Sequence, residues 1–267
     1  MQRLALALAW ILLSAVPALA QIGPGEPRAA CHDFSLGGGF HNVSSTWKPF
    51  DYDVDRGRFY LEGSFAFNHG IEGFLRAGGS DVVINEIETY EPGKDKDVSS
   101  QGYPAFLSGG VRGTFWQWGP WTLGGSFEAA WYAGLERYIR WDYDAYQQLY
   151  VDPTVEFNAG LSLAYDFGFG TFYWGPLVHF GYTNADVRTH EFGPNWDVEE
   201  EINALNVRDK AGFGGLFGWQ MPLGGGGWNL QIEGSVLSGG FGIGVGFFHS
   251  HRGLPVRTYS ELPMDGV

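Results

Sequence analysis

The sequence is poor in three features: cysteine, long apolar runs and positive charge. A single cysteine, Cys31, permits no disulfide within the chain, so the fold must form without such cross-links. After residue 20, no apolar stretch approaches the ~20 residues of a membrane-spanning helix, which excludes a helical membrane protein. The 16 Lys and Arg residues are outnumbered by 30 Asp and Glu. A net charge of -14 argues against nucleic acid as a partner, because phosphates require basic patches.

The first 20 residues have the pattern of an export signal. Arg3 supplies positive charge, residues 4–16 are almost entirely apolar, and Pro17 ends this run. Residues 18–20 (Ala-Leu-Ala) then provide the small side chains that precede a signal-peptidase site. The apolar run is shorter than the ~20 residues that a spanning helix needs. We therefore predict a cleaved signal peptide over residues 1–20, followed by a short periplasmic segment over residues 21–32.

Glycine and aromatic residues are abundant in the remaining chain. There are 42 Gly, together with 21 Phe, 13 Tyr and 11 Trp. This glycine content is about twice the ordinary share. Glycine-rich disordered chains contain few aromatic residues, so the combination indicates an ordered protein.

Apolar and polar residues alternate along most of the mature chain, which is the pattern of β-strands. In residues 59–67 (FYLEGSFAF), the odd positions are Phe, Leu, Gly, Phe and Phe, and the even positions include Tyr, Glu and Ser. We predict ten strands, near residues 33–43, 57–67, 71–83, 104–116, 121–134, 154–166, 171–183, 210–221, 228–237 and 240–249. Residues 250–267 are predicted to form a C-terminal tail.

The predicted connections alternate in length. Short ones cover residues 68–70, 117–120, 167–170 and 222–227, and long ones cover residues 44–56, 84–103, 135–153 and 184–209; the last hairpin, at 238–239, is tight. Short turns at one end and long loops at the other are typical of outer-membrane barrels. Trp118, Trp121, Trp174, Trp219 and Trp228 lie near short turns, as expected of an aromatic girdle at a membrane surface. The pattern predicts an all-β, antiparallel, up-and-down transmembrane β-barrel of about ten strands over residues 33–249, with eight or twelve strands as alternatives.

Two hairpins carry a resemblance to a known group of proteins. Residues 59–63 and 73–78, joined through Asn68-His69-Gly70, and the glycine-rich closing hairpin over residues 239–248 resemble those of small bacterial outer-membrane β-barrels. The group includes the outer-membrane protein A-like and opacity-type barrels. The resemblance implies a fold and a place in the bacterial outer membrane. Phe248 would be the aromatic residue that closes the last strand.

If the apolar rows face lipid, the alternate rows face the lumen. Their ionisable members are Glu62, Glu72, Arg76, Arg112, Glu128, Glu156, Asp166, His179 and Glu233. Buried charges require partners, so we predict an ion-pair network in which Arg76 and Arg112 bridge Glu62, Glu128 and Glu233. Six carboxylates against two arginines leave a lumenal excess of about four negative charges. That excess keeps a water-filled, cation-favouring path as the alternative.

The long connections hold most of the negative charge and an unusual set of aromatic residues. Tyr138, Trp141 and Tyr143 alternate with Arg137, Arg140, Asp142 and Asp144 in the connection over residues 135–153. Aromatic rings beside charges suit protein or glycan recognition. The alternative is that the strands extend beyond the membrane and these rings face the upper girdle.

These features predict a monomeric, non-enzymatic envelope protein with a structural or surface-binding role. The expected partners are outer-membrane lipid and lipopolysaccharide, with a protein or glycan ligand at the outer loops. A small cation-preferring, porin-like channel is the alternative, and an outer-membrane hydrolase is third. No motif indicates a cofactor, a metal or a catalytic residue, since the spacing of Asp186, His190 and Glu191 is not diagnostic of a hydrolase.

Overall fold

The computed structural model describes residues 33–48, 52–67, 70–87, 96–99, 102–142, 145–192, 198–205, 208–209, 212–224, 226–238 and 240–250. The predicted signal peptide, Cys31 and the tail beyond residue 250 lie outside these ranges. Sixteen strands form in the described part. In chain order they are β1 (Phe34–Lys48), β2 (Tyr52–Ala66), β3 (Ile71–Ile87), β4 (Lys96–Ser99), β5 (Ala105–Trp118), β6 (Trp121–Tyr132), β7 (Leu135–Asp142), β8 (Ala145–Val151), β9 (Thr154–Asp166), β10 (Thr171–Tyr182), β11 (Ala185–Phe192), β12 (Val198–Leu205), β13 (Arg208–Asp209), β14 (Gly212–Pro222), β15 (Trp228–Leu237) and β16 (Gly240–Ser250).

Ten of these strands close into a barrel. The hydrogen-bonded order is β1-β2-β3-β5-β6-β9-β10-β14-β15-β16, and every pair is antiparallel. Closure is made by β1, which pairs with β2 from Phe34↔Phe65 to Trp47↔Tyr52 and with β16 from Ser35↔Ser250 to Ser45↔Gly240. The predicted ten-stranded up-and-down barrel is therefore confirmed. No helix among the described residues is long and apolar enough to cross a membrane.

Side-chain alternation along these strands separates two surfaces. In β3, Phe74 and Arg76 are buried, whereas the intervening Leu75 keeps 67% of its surface accessible. The outer face of the barrel is apolar, with Leu61, Phe115 and Phe213 also largely exposed. The buried inner face contains most of the polar and charged side chains. This polarity is the reverse of that of a water-soluble barrel and suits a protein surrounded by hydrocarbon.

One predicted long connection is wrong. Residues 44–56 were expected to form a loop, but β1 continues to Lys48 and β2 already begins at Tyr52. The inward alternation persists through this stretch, because Val43, Ser45, Val54 and Arg56 are all buried. Paired strands satisfy the backbone here, so only residues 49–51 remain to connect them.

The other long connections contain strands of their own. β7 and β8 come from the connection after β6, and β11 and β12 from the one after β10. They form a four-stranded antiparallel sheet in the order β12-β11-β8-β7, which we call the loop sheet. β4 adds to the end of β3, and β13 to the end of β1. The barrel thus has a loop end, with the loop sheet, and a turn end, with connections at residues 67–70, 119–120, 167–170 and 223–227.

Aromatic rings cluster at the turn end, where the sequence placed a girdle. Trp121 contacts Tyr165 and Trp174, and Trp219 contacts Phe167 in a stacked arrangement with 6.1 Å between ring centroids. A register shift between Thr114 and Trp116 in β5 leaves both Phe115 and Trp116 exposed on the outer face. Gly168, with φ of 83°, permits the tight turn between β9 and β10, because this conformation is unfavourable for side chains with a Cβ.

Candidate functional site

The interior of the barrel contains a cluster of arginine and glutamate side chains, which we call the arginine cluster: Glu62, Glu72, Arg76, Arg112 and Glu128. Arg76 donates from Nε to Glu62 Oε2 at 2.7 Å and from Nη1 to Glu128 Oε1 at 2.9 Å. Arg112 donates from Nη2 to Glu62 Oε1 at 2.6 Å and from Nε to Glu72 Oε1 at 2.8 Å. All five residues are at most 3% exposed. Glu62 joins the two arginines into one network.

Strand register explains why these residues meet. Glu62 on β2 lies directly opposite Arg76 on β3, and Glu72 on β3 lies directly opposite Arg112 on β5. Because all four occupy the inward row, two cross-strand pairs of opposite charge form side by side. Glu128 reaches Arg76 from β6 and also accepts a hydrogen bond from Ser108 Oγ at 2.6 Å.

Aromatic rings enclose the same guanidinium groups. The Cζ atom of Arg76 lies 4.6 Å from the ring centroid of Phe74 and 4.9 Å from that of Tyr60. The Cζ atom of Arg112 also lies near Phe74, 4.9 Å from its ring centroid. Cation–π attraction therefore adds to the ion pairs, and the rings exclude water from them.

A second group, the cross-lumen group, consists of His41, Arg56, Arg58, Tyr132 and Glu156. Arg56 on β2 forms an ion pair with Glu156 on β9, which lies four strands away around the barrel. Tyr132 donates to Glu156 Oε2 at 2.8 Å and accepts from Arg58 Nη1 at 2.5 Å. Arg58 Nε donates to His41 Nδ1 at 2.9 Å. These contacts connect strands on opposite sides of the lumen.

Arg56 and Arg58 are buried lumenal residues that the predicted inward row does not include. Arg56 falls in the predicted loop over residues 44–56, and Arg58 is absent from the predicted set of lumenal ionisable residues. The sequence does indicate their position. Residues 54, 56, 58 and 60 are separated from Glu62 by even numbers of residues, so in a β-strand their side chains lie on the same face as Glu62. The structure shows that this row points inward throughout β2.

The two additional arginines change the charge of the lumen. Within the described barrel strands, the buried carboxylates are those of Glu62, Glu72, Glu128, Glu156 and Glu233, facing the four buried arginines. The expected excess of about four negative charges is therefore wrong, and the excess is close to one. Asp166, also expected inside, is only half-buried at the end of β9, where it accepts a hydrogen bond from Gly168 N at 2.7 Å.

Glu233 lies in a different polar group from the arginine cluster. Its Oε2 atom accepts hydrogen bonds from Tyr173 Oη at 2.6 Å and from Gln231 Nε2 at 3.3 Å. His179 is also buried, with Nδ1 2.7 Å from Asn158 Oδ1. Of the predicted network, the structure brings together Glu62, Arg76, Arg112 and Glu128, adds Glu72, and places Glu233 with Tyr173 and Gln231.

Several apolar side chains are buried toward the loop end of the interior. Val43, Val54, Val82, Ile84 and Leu237 are each at most 8% exposed and lie in the loop-side parts of β1, β2, β3 and β15. Val43 and Val82 lie directly opposite Arg56 of the cross-lumen group, and Val54 and Ile84 pair one step further toward the loop end. Charged and apolar side chains therefore meet at the level of Arg56.

The predicted loop residues lie partly outside the described region. Tyr138 and Trp141 belong to β7, the edge strand of the loop sheet, and Tyr143 falls in the undescribed pair between β7 and β8. Asp186, His190 and Glu191 belong to β11. Cross-strand pairs place His190 opposite Tyr146 and Glu200, so this histidine belongs to the centre of the loop sheet.

Comparison with known proteins yields structural neighbours alone. No protein-family model matches the chain, and no curated protein matches it. The translocator domain of the autotransporter NalP from Neisseria meningitidis is similar with a TM-score of 0.45 and 11% identity, covering 81% of this chain and 88% of that one. The outer membrane protein OprG from Pseudomonas aeruginosa has a TM-score of 0.37 and 11% identity, covering 85% and 100%. The transport unit of the autotransporter AIDA-I from Escherichia coli has a TM-score of 0.37 and 9% identity, covering 81% and 89%.

The fold itself decides the class of protein. In this closed ten-stranded antiparallel sheet, every barrel strand forms backbone hydrogen bonds with two neighbours, so no edge strand is left. The apolar face of the sheet points outward, and the polar face lines the interior. The connections at one end are short turns, and three of those at the other end, after β3, β6 and β10, are long and contain strands. The chain has the fold of the small bacterial outer-membrane β-barrel proteins.

Proposed function

We propose that the protein is a non-conducting, non-enzymatic component of the bacterial outer membrane, with a structural role and a partner-binding surface at its loop end. The observation that carries this proposal is the filling of the lumen by side chains. Arg58, Arg76, Arg112, His41 and His179 each have less than 2% of their surface accessible. A water-filled pore of useful width would leave such residues in contact with solvent.

The charge balance supports this function over a cation channel. Four arginines nearly neutralise the five buried glutamates of the barrel strands. Each arginine in the arginine cluster contacts two carboxylates, so these carboxylates are engaged with protein partners. Cation-selective pores instead present rings of acidic side chains to permeating ions.

A hydrolase receives little support from the interior. His179, the histidine of the predicted lumenal row, is buried against Asn158 and is 1% exposed. A general base has to reach its substrate within hydrogen-bonding distance. A lipid or peptide substrate would not reach this imidazole without a rearrangement of the lumen.

The partner surface is proposed at the loop sheet, where lipopolysaccharide and a protein or glycan ligand are the expected partners. The loop sheet contains Tyr138 and Trp141 together with the acidic strand β12. Lipopolysaccharide binding that is unchanged by Tyr138→Ala and Trp141→Ala would remove these two residues from the surface. Export through a cleaved signal peptide at residues 1–20 belongs to the same proposal.

Conductance in planar lipid bilayers tests the non-conducting role. The purified protein should give no stable ion current, because the arginine cluster and the cross-lumen group occlude the lumen. A stable current that falls in Glu128→Gln or Glu233→Gln, but not in the outward-facing control Asp81→Asn, would contradict the proposal. That result would instead assign a cation-preferring channel.

A further inference from the structure

The outer face of the barrel carries a groove that crosses six neighbouring strands, β3, β5, β6, β9, β10 and β14. We call it the outer groove. Its volume is about 550 Å³, which lies within the range of roughly 300–1,000 Å³ found for small-molecule sites. The residues that line it are apolar except Ser126 and Arg112, and the charged group of Arg112 belongs to the arginine cluster inside the lumen.

Strand register forms the outer groove from two adjacent outward rows. The first row contains Ile71, Gly113, Gly125 and Leu161, each directly opposite the next on β3, β5, β6 and β9. A Cβ atom at Gly125 would lie 2.9 Å from Phe115 Cε2 and 3.1 Å from Leu161 Cδ2, which is too close. Glycine therefore lets these two large side chains lie against the sheet instead of standing on it.

The second row contains the smallest side chain of the groove in its middle. The row is Val111, Phe127, Ala159, Val178 and Phe213, each directly opposite the next. Ala159 is exposed on the outer face of β9. Its methyl group leaves space between the larger side chains of Phe127 and Val178.

The outer groove has the length and inclination of one lipid acyl chain. From β3 to β14 it crosses five intervals between neighbouring strands, which is about 24 Å at roughly 4.8 Å per interval. Strands of outer-membrane barrels are tilted by roughly 35–45°, so a row at right angles to them rises about 15 Å along the barrel axis. That rise is about half of the ~30 Å hydrocarbon thickness of a bilayer, which is the depth of one leaflet.

The lower end of the groove lies at the turn end of the barrel. Ile71 is the first residue of β3 after its turn, whereas Phe213 is the second residue of β14 at the loop end. Trp116 and Trp118, both exposed, mark the membrane surface at the turn end of β5. Because short turns face the periplasm in outer-membrane barrels, a chain that enters here belongs to a lipid of the periplasmic leaflet.

We propose that the outer groove holds one acyl chain of a phospholipid from the periplasmic leaflet, bound more persistently than the surrounding lipid. An acyl chain has no polar group along its length, which matches the apolar lining. A chain in a groove also has side chains on both flanks, so it makes more dispersion contacts than a chain on a flat face. A second copy of the protein fits less well, because Phe115 and Phe213, 66% and 68% exposed, would keep another sheet at a distance.

Native mass spectrometry with a long-chain phosphatidylethanolamine tests this ligand. The purified barrel, incubated with this lipid in detergent, should retain one molecule of it. Ala159→Leu places a larger side chain in the groove and should lower the retained fraction roughly tenfold, because about two methylene groups of the lipid lose their burial. Ala129→Leu on the outer face of β6, outside the groove, is the matched control and should leave retention unchanged.

Photochemical cross-linking of the unaltered protein covers the case in which Ala159→Leu does not fold. A phosphatidylethanolamine with a diazirine in its acyl chain should label the outer face of β5, β6, β9 and β10 more strongly than that of β1 and β2. Labelling spread evenly around the barrel, or equal retention of the lipid by Ala159→Leu and Ala129→Leu, would overturn the proposal. Retention of lipopolysaccharide in place of the phospholipid would also overturn it, and so would a dimer without lipid, which would assign the groove to a second copy.

Discussion

Single residues decide whether the interior is stable. Arg112 is 1% exposed and has two carboxylate partners, Glu62 and Glu72. Desolvation of a guanidinium and two carboxylates is unfavourable, and the close hydrogen bonds compensate for it only while all three groups are present. Replacing one member leaves an uncompensated charge in a region without solvent.

The first prediction concerns Arg112→Met. This change should lower the free energy of unfolding by roughly 3–5 kcal/mol, because Glu72 loses the cation directly opposite it. Adding Glu72→Gln should restore part of the loss by removing the stranded charge. Urea unfolding in lipid vesicles, followed by tryptophan fluorescence, measures both values.

Val111→Met is the matched control, because residue 111 is exposed on the outer face of the same strand. This hydrophobic substitution on the outer face should lower the free energy of unfolding by less than about 1.5 kcal/mol. No recovery in the double variant would contradict an ion pair between Arg112 and Glu72.

The polarity of the two faces of a strand indicates what each face contacts. In β3, the inward row contains Glu72, Phe74 and Arg76, and the outward row contains Ile71 and Leu75. An outward row of exposed leucine and isoleucine is unfavourable in water but favourable in hydrocarbon. The same argument applies to Leu61 on β2 and Phe213 on β14.

The second prediction tests what this outer face contacts. Leu75→Lys should destabilise the folded barrel in a bilayer by about 2–4 kcal/mol, the cost of a lysine facing lipid near the membrane centre. Leu223→Lys in the turn between β14 and β15 should cost only about 0–1 kcal/mol, because the turn lies at the interface. Equal, small effects in vesicle unfolding experiments would show that the β3 face contacts water.

Closure gives the whole molecule its cooperativity. β1 pairs with both the second and the last barrel strand, so no barrel edge remains open to another chain. The cross-lumen group adds contacts between β2, β6 and β9 that do not depend on neighbouring pairs. Opening β2, β6 or β9 therefore disrupts both the pairing with neighbouring strands and the cross-lumen group.

The third prediction follows from this closed fold. Unboiled and boiled samples should migrate differently on denaturing gels, because the barrel resists detergent until it is heated. The protein should fractionate with outer membranes, and its mature N-terminus should be Gln21. Identical migration together with recovery in the soluble periplasm would contradict both the barrel and its membrane location.

Much of this fold is present in local sequence patterns. Alternation located all ten barrel strands, and β9 and β15 have the predicted bounds, because a strand with one polar and one apolar face must repeat every two residues. The same parity placed Glu62, Arg76, Arg112 and Glu128 in the lumen. The predicted loop over residues 44–56 contains Arg56, whereas the alternation continues through β2 and places this side chain inside.

Tertiary structure alone decided which of these residues meet. The odd or even position of a residue in a strand determines whether its side chain faces the lumen or the lipid. The register between strands determines its position along the barrel axis and therefore which side chains it contacts. That register puts Arg76 between Glu62 and Glu128, Glu233 beside Tyr173, and Arg56 across the lumen from Glu156. The sequence by itself determined a barrel with a polar interior, because alternation is a local property of each strand. Whether that interior is charged and open or neutralised and filled depended on contacts between strands far apart in the chain, which only closure of the barrel brings together.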